Sequence, residues 1–280
     1  MNIEPKALYL DLLKKTLSFS LWPEPPIPIE KPVYVRRPLK RNLVSLISRI
    51  LRKRGLQLCT TVTYTDQQRR DGRIWPGYAD SMIGLKRLDN LQNCIETVIR
   101  ENVAGDLIET GVWRGGACIL MRGVLAAYGD KGRKVFVADS FEGLPKADEE
   151  KYPADKGDTH YLFSHVLAVS REDVENNFKR YSLLDDQVVF LQGWFKDTLP
   201  SAPIQKLAVM RLDGDMYEST MDALVTLYPK LSLGGYCIID DYALKGCKKA
   251  VDDYREAHKI KAELKEVDWT GRYWRKEEAG

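Results

Sequence analysis

Long apolar runs are missing from this sequence, and their absence excludes a membrane-spanning helix, which needs about 20 consecutive apolar residues. The first residues lack the layout of a secretion signal, so a cytoplasmic protein is expected. Cysteine is scarce. Cys59, Cys94, Cys118, Cys237 and Cys247 show no close pairing pattern, and Cys94, Cys118 and Cys237 stand inside apolar helix or strand patterns, as reduced core thiols do. A strong charge of either sign is also lacking: the net charge of +3 by itself argues neither for nor against nucleic acid. There is no internal repeat and no low-complexity segment. The Gly-x-Gly-x-x-Gly fingerprint of dinucleotide enzymes is absent too.

What is present is organised around Gly105 to Gly116 (Gly-Asp-Leu-Ile-Glu-Thr-Gly-Val-Trp-Arg-Gly-Gly). Asp106 to Glu109 reads as a short buried strand ending in a carboxylate. Gly111 then allows a tight turn, and Gly115 and Gly116 let a helix, continuing as Ala117–Tyr128, start close against the strand. A strand, a glycine turn and a helix N-terminus form a nucleotide-binding corner. With no pyrophosphate to approach, fewer glycines are needed, and an acidic strand end suits a cationic or hydroxyl-rich ligand. S-adenosylmethionine (SAM) has both properties. The alternative is a bland tight turn between strand and helix.

The 280 residues suit one large domain, or one domain with an appendage. Residues 1–65 read as an N-terminal arm and 66–280 as the main domain. In the arm, residues 7–18 have amphipathic helical spacing, Leu21–Pro38 holds six prolines, and Asn42–Arg54 returns to helical spacing. Between Lys31 and Arg54 there are nine Lys or Arg and no acidic residue. Such a helix can lie on an anionic membrane surface, but packing on the main domain or on a second subunit is the favoured reading. Residues 66–82 read as a loop leading into a helix at about 83–100.

Beyond it, strands are predicted at 106–110, 134–139, 187–192, 206–212 and 235–240, with helices at about 116–128, 170–181, 217–230 and 245–258. Near-continuous apolar strands alternating with helices mean a parallel sheet covered on both faces. Residues 262–268 and 271–275 read as an antiparallel finish. The fold class is therefore α/β: a Rossmann-like, mostly parallel seven-stranded sheet with the last strand antiparallel, as in class I SAM-dependent methyltransferases. One connection, Ser140 to Ser170, is too long for a simple loop, and about 145–168 reads as a lid. It carries His160 and His165, for which exposed lid histidines are favoured over metal ligands.

Ligands of an open parallel sheet bind at the carboxyl ends of its strands. Strand one ends in Glu109-Thr110-Gly111 and strand two in Asp139-Ser140, a usual place for an acid that binds ribose hydroxyls. Strand three ends in Gln192-Gly193-Trp194, an amide and an indole able to hold and stack a purine. These ends make a cofactor site. Strand four ends in Asp213-Gly214-Asp215 and strand five in Asp240-Asp241. Asp213, Asp240 and Asp241 form an oxygen-only set suited to magnesium, calcium or manganese. Such an ion, chelated by neighbouring hydroxyls, would stabilise an alkoxide for attack on the sulfonium methyl, with Asp215 as general base. The alternatives are helix capping by Asp213 and Asp215 and a polar loop start at Asp240-Asp241.

Six segments resemble the macrocin O-methyltransferase family. They are 81–91 (Ser-Met-Ile-Gly-Leu-Lys-Arg-Leu-Asp-Asn-Leu), 107–116 (Leu-Ile-Glu-Thr-Gly-Val-Trp-Arg-Gly-Gly) and 138–145 (Ala-Asp-Ser-Phe-Glu-Gly-Leu-Pro), followed by 192–200 (Gln-Gly-Trp-Phe-Lys-Asp-Thr-Leu-Pro), 211–220 (Arg-Leu-Asp-Gly-Asp-Met-Tyr-Glu-Ser-Thr) and 234–242 (Gly-Gly-Tyr-Cys-Ile-Ile-Asp-Asp-Tyr). The resemblance covers about residues 74–276, and Leu8–Leu17 is similar to the family's first helix, while 28–65 match nothing. It implies SAM- and magnesium-dependent methylation of a deoxysugar hydroxyl on an antibiotic. It implies metal binding by Asp213, Asp240 and Asp241, a general base at Asp215, and cofactor contacts at Ser81, Met82, Glu109, Asp139, Ser140, Gly193 and Trp194. Gly111 and Gln192 complete the cofactor set on position alone. The expected partner is a small-molecule glycoside, with no nucleic acid, and a homodimer or higher homo-oligomer is implied. A glycolipid or polysaccharide acceptor at a membrane surface, a nicotinamide oxidoreductase and a non-catalytic interaction protein are the competing readings.

Overall fold

Five apolar stretches lie side by side as parallel strands because each is covered on both faces. The computed structural model describes residues 4–28 and 46–277. Its main sheet comprises β1 (Asp106–Thr110), β2 (Val135–Asp139), β3 (Val188–Gln192), β4 (Leu207–Leu212), β5 (Leu231–Ile239), β6 (Lys265–Glu266) and β7 (Arg272–Arg275). The order is β3-β2-β1-β4-β5-β7-β6. Only β7 runs against the rest, pairing antiparallel with β5 and β6. The chain order reverses between β1 and β4, and there a crevice opens beyond the carboxyl ends.

Alternation along the strands divides the core in two. Leu107, Val135 and Val137 face α1 (Pro5–Leu17), α2 (Leu85–Arg100), α3 (Gly116–Tyr128) and α4 (Arg171–Arg180). Ile108, Phe136 and Ala138 face α5 (Tyr217–Leu227) and α6 (Lys245–Ala257). The first helix belongs to this core: Leu10, Leu13 and Leu17 are buried at helical spacing. Its carbonyl at Leu17 accepts the N–H groups of Asp80 and Ser81, at 2.9 and 3.0 Å, and so holds the 80–81 turn beside the sheet.

The elements differ from expectation at five places. A short helix, Asp66–Arg70, replaces part of the expected loop, because Thr65 and Gln68 form a reciprocal capping box. The helix expected to reach 230 is α-helical only to Leu227 and tightens into a 3-10 turn, Tyr228–Lys230, at Pro229. Strand β5 begins at Leu231, earlier than its apolar run, and β6 is only two residues long. The long connection contains short turns at Pro153–Asp155, His160–Phe163 and Ser164–Leu167. Of the helix expected at 42–54, residues 46–52 are helical, and the part of the proline-rich and basic stretches within 29–45 lies outside the described residues. No helix among the described residues is long and apolar enough to cross a membrane.

Candidate active site

A cavity of about 1130 Å³ lies beyond the carboxyl ends of β1, β2, β4 and β5. Ser81, Met82, Glu109, Gly111, Asp139, Ser140 and Trp194 line it, as do Asp213, Asp215, Asp240 and Asp241. Of the residues singled out in the sequence, Gln192 and Gly193 are not in its wall. Gln192 is exposed at the end of β3, and the Gly193 N–H is given to the Asp139 carbonyl at 2.9 Å.

The half formed by β1 and β2 is braced by the chain itself. Gly111 turns the backbone at φ +82° so close to β4 that a Cβ there would stand 1.9 Å from the Asp213 carbonyl oxygen. No other residue fits that approach. Asp139 accepts the Val112 N–H and the Phe141 N–H, both at 2.7 Å, and thereby fixes the turns after β1 and β2. Burial raises its pKa, against the pull of those N–H groups. Glu109 is buried, with one carboxylate oxygen paired to Arg211 and the other accepting from the Cys118 thiol at 2.9 Å. Its pKa is pushed up to about 7 by burial, which the Arg211 guanidinium opposes.

The half formed by β4 and β5 holds more acid than the chain neutralises. Arg211, in mid-sheet and 1% exposed, pairs with Glu109, with Asp213 at 2.9 Å and with one oxygen of Asp240. Arg87, from α2, pairs with the other oxygen of Asp240 and with Asp268 at 3.0 Å. Burial alone would raise the Asp240 pKa, but the two guanidinium groups hold it below the ordinary carboxylate value. Asp241 lies well above that value through burial and the fields of Asp213 and Asp215. Asp213 is raised by burial and by Asp240. Asp215 is pushed up to about 7 by burial and by Asp213, with His160 pulling the other way.

One carboxylate oxygen from each of Asp213, Asp240 and Asp241 lies within 4.8 Å of the other two. Three hard oxygen donors meeting in a partly buried place fit a divalent cation such as magnesium. Burial and mutual repulsion hold two of the three carboxyl groups, Asp213 and Asp241, above their ordinary pKa, an electrostatic cost that such an ion would remove.

The capping alternative for Asp213 and Asp215 is not what the structure shows. The N-cap of α5 is Met216, without a side-chain hydrogen bond. Its first N–H groups, Tyr217 and Glu218, donate instead to Asp155 of the long connection, at 2.7 and 3.2 Å. Asp215 sits in a left-handed turn at φ +57°, and its N–H points to the Asp241 carboxylate at 3.3 Å. A non-glycine residue held there stores roughly 1–3 kcal/mol of strain, a frequent feature of functional sites.

Sequence reading passed over Arg87, Arg211 and Asp155, and it took His160 as an exposed lid histidine, whereas the ring lines the cavity. For Arg211 a signal existed: an arginine inside the apolar run 206–212 has to find buried carboxylates. Arg87 and Asp155 carried no such local mark, because their partners lie far along the chain.

Sheet order, the glycine turn after β1 and a cavity across the strand ends define a class I SAM-dependent methyltransferase. The model of the family "Macrocin-O-methyltransferase (TylF)" matches residues 6–276. The chain belongs to this family and is a SAM-dependent O-methyltransferase. It is 56% identical over 215 residues, covering 76% of this chain and 82% of the relative, to demethyldecarbamoylnovobiocin O-methyltransferase of Streptomyces niveus. It is 49% identical over 275 residues, covering 98% of this chain and 95% of the relative, to 8-demethyl-8-(2,3-dimethoxy-alpha-L-rhamnosyl)-tetracenomycin-C 4'-O-methyltransferase of Streptomyces olivaceus. Among solved structures, the O-methyltransferase NovP is similar at a TM-score of 0.83 and 47% identity, over 98% of this chain and 100% of that one.

Proposed function

We propose that this enzyme methylates a hydroxyl of the sugar in an antibiotic-type glycoside, with a divalent cation held by Asp213, Asp240 and Asp241 and with Asp215 as general base. The observation that carries this reading is the meeting of three carboxylate oxygens within 4.8 Å, beside a fourth carboxylate, in the cavity where the methyl donor belongs. The sugar acceptor is suggested by the rhamnosyl group in the name of the tetracenomycin relative.

When bound, the cation would lower the pKa of a chelated hydroxyl and SAM would supply the sulfonium methyl. The chain's own residues do the rest. Asp215 takes the hydroxyl proton on its carboxylate, and an environment that raises its pKa toward neutrality makes it an effective acceptor there. Arg211 and Arg87 grip both oxygens of Asp240, which keeps the donor set in place. Asp139, Ser140 and Trp194 would contact the adenosine, and Ser81, Met82 and Glu109 belong to the same cavity lining. Residues about 145–168 act as a lid that excludes water. They are tied down by the Trp113 indole N–H to the Val166 carbonyl at 3.2 Å and by the Ser164 hydroxyl to the Leu144 carbonyl at 3.0 Å.

The test is mass spectrometry of a glycoside panel, including demethyldecarbamoylnovobiocin and the dimethoxyrhamnosyl tetracenomycin, incubated with SAM and magnesium. A gain of one methyl group on a sugar, abolished by chelator and restored by magnesium, is expected. No product across the panel overturns the acceptor class, and a rate indifferent to chelator overturns the cation.

A further inference from the structure

The lid is anchored at a point that determines what it carries to the acceptor. Asp155, 3% exposed, takes the first N–H groups of α5, the helix that follows Asp213-Gly214-Asp215. Gly246, at the start of α6, closes on the same carboxylate: a Cβ there would stand 2.2 Å from Asp155 Oδ1. Three and five residues further on come Asp158 and His160. One carboxylate oxygen of Asp158 accepts the His160 backbone N–H at 2.8 Å, and the other pairs with His160 Nδ1 at 2.7 Å. In the neutral imidazole, a carboxylate at Nδ1 sets the tautomer and leaves Nε2 as a hydrogen-bond acceptor. Among the described residues the ring makes no other hydrogen bond. His160 lines the same cavity as Asp215. The side chain of His165 lies outside the described residues.

We infer that His160 is the lid's direct contact with the acceptor, its Nε2 accepting a hydrogen bond from a sugar hydroxyl, with Asp158 orienting the ring and Asp155 latching the segment in place. This rests on the sugar-hydroxyl reading given above. An imidazole whose Nδ1 is tied down is pre-organised, so the acceptor's hydrogen bond does not have to order the ring. A histidine that only braced the lid would act on the fold, whereas one that meets the sugar acts on acceptor binding and leaves the methyl donor alone.

The experiment compares wild type, His160→Ala, His160→Gln and Asp158→Asn on demethyldecarbamoylnovobiocin, or on the panel member that the wild type methylates. It reads kcat, acceptor KM, SAM affinity by calorimetry and melting temperature. For His160→Ala, kcat/KM for the acceptor is expected to fall about 10–100-fold, mainly through KM, with SAM affinity unchanged. Asp158→Asn should fall by a smaller factor in the same parameter. Should the alanine variant fail to fold, His160→Gln carries the comparison. A His160 variant that folds and stays within twofold of wild type overturns the assignment, and so does a SAM affinity that falls in step with activity. If the wild type methylates no glycoside at all, the functional reading falls first and the His160 assignment with it.

Discussion

The two halves of the cavity are built on opposite electrostatic plans. At the ends of β1 and β2 each acid has bonding partners within the chain, although burial still raises both pKa values: Glu109 has Arg211 and the Cys118 thiol, Asp139 two backbone N–H groups. At the ends of β4 and β5, Asp213, Asp215 and Asp241 face one another, and Arg211 and Arg87 neutralise chiefly Asp240. The first half is bonded within the chain itself, as the proposed cofactor wall would be. The second keeps an excess of negative charge, which only a cation or bound protons relieve. The difference is the reason the proposed acceptor chemistry is assigned to the β4–β5 side.

Asp215→Asn tests that division most strongly. Turnover should fall by about 10²–10⁴ for loss of a general base, while calorimetry shows SAM binding retained. Near-normal turnover would make the β4–β5 acids structural, and the contrast between the halves would collapse.

Arg211→Met comes next, because it strips the cation that both halves share. Buried carboxylates left without their partner should cost about 3–5 kcal/mol of stability, measured by denaturant unfolding. The exposed Lys249–Asp253 pair on α6, at 2.8 Å, is the internal control. Its loss should leave stability nearly unchanged, because solvent screens an exposed pair. Equal effects would show that the buried network does not carry the site.

Asp139→Ala probes the braced half. SAM affinity should weaken by about 1–3 kcal/mol, and the melting temperature should drop as well, since the Val112 and Phe141 N–H groups lose their acceptor. Unchanged affinity in calorimetry would take Asp139 out of the cofactor wall.

The smallest expected effect is a pH dependence. Asp215 titrates at about 7 in the folded protein, against an ordinary 3.8. Between those values the folded state holds a proton that the unfolded chain has released. The contribution of this group is therefore fully present below the lower value, declines as pH rises and is lost above the higher one. With cation removed by chelator, wild type should lose more thermal stability than Asp215→Asn between about pH 5 and pH 8, and each 1 kcal/mol of that difference should appear as roughly 2–4 °C. Magnesium should restore more melting temperature at the higher pH. Parallel melting curves for the two proteins would remove Asp215 from the uncompensated cluster.

Much of this molecule follows from local pattern. The strand and helix order is carried by apolar periodicity, which depends on each segment's own residues. The acids at the strand ends were readable because a parallel sheet brings its carboxyl ends to one rim, whatever the packing around it. Hence Asp213, Asp215, Asp240 and Asp241 were placed together from sequence, and the structure brings them to one cavity. Gln192 stands outside the cavity wall, since position at a strand end does not say whether a side chain turns inward. The small element errors have local causes too: the Thr65–Gln68 capping box and the effect of Pro229 were overlooked.

Only the tertiary structure decided how the charges are balanced. Arg87 meets Asp240 and Asp268 across 153 and 181 residues of chain, and Asp155 caps a helix that starts 62 residues later. No spacing rule connects such pairs. They exist because a charge or a helix end removed from water must find a partner, and folding decides which group is within reach. The sequence by itself set the sheet and the identity of the acids at its rim. Packing chose the arginines beneath them, freed Asp215 from capping by supplying Asp155, and brought His160 to the cavity wall.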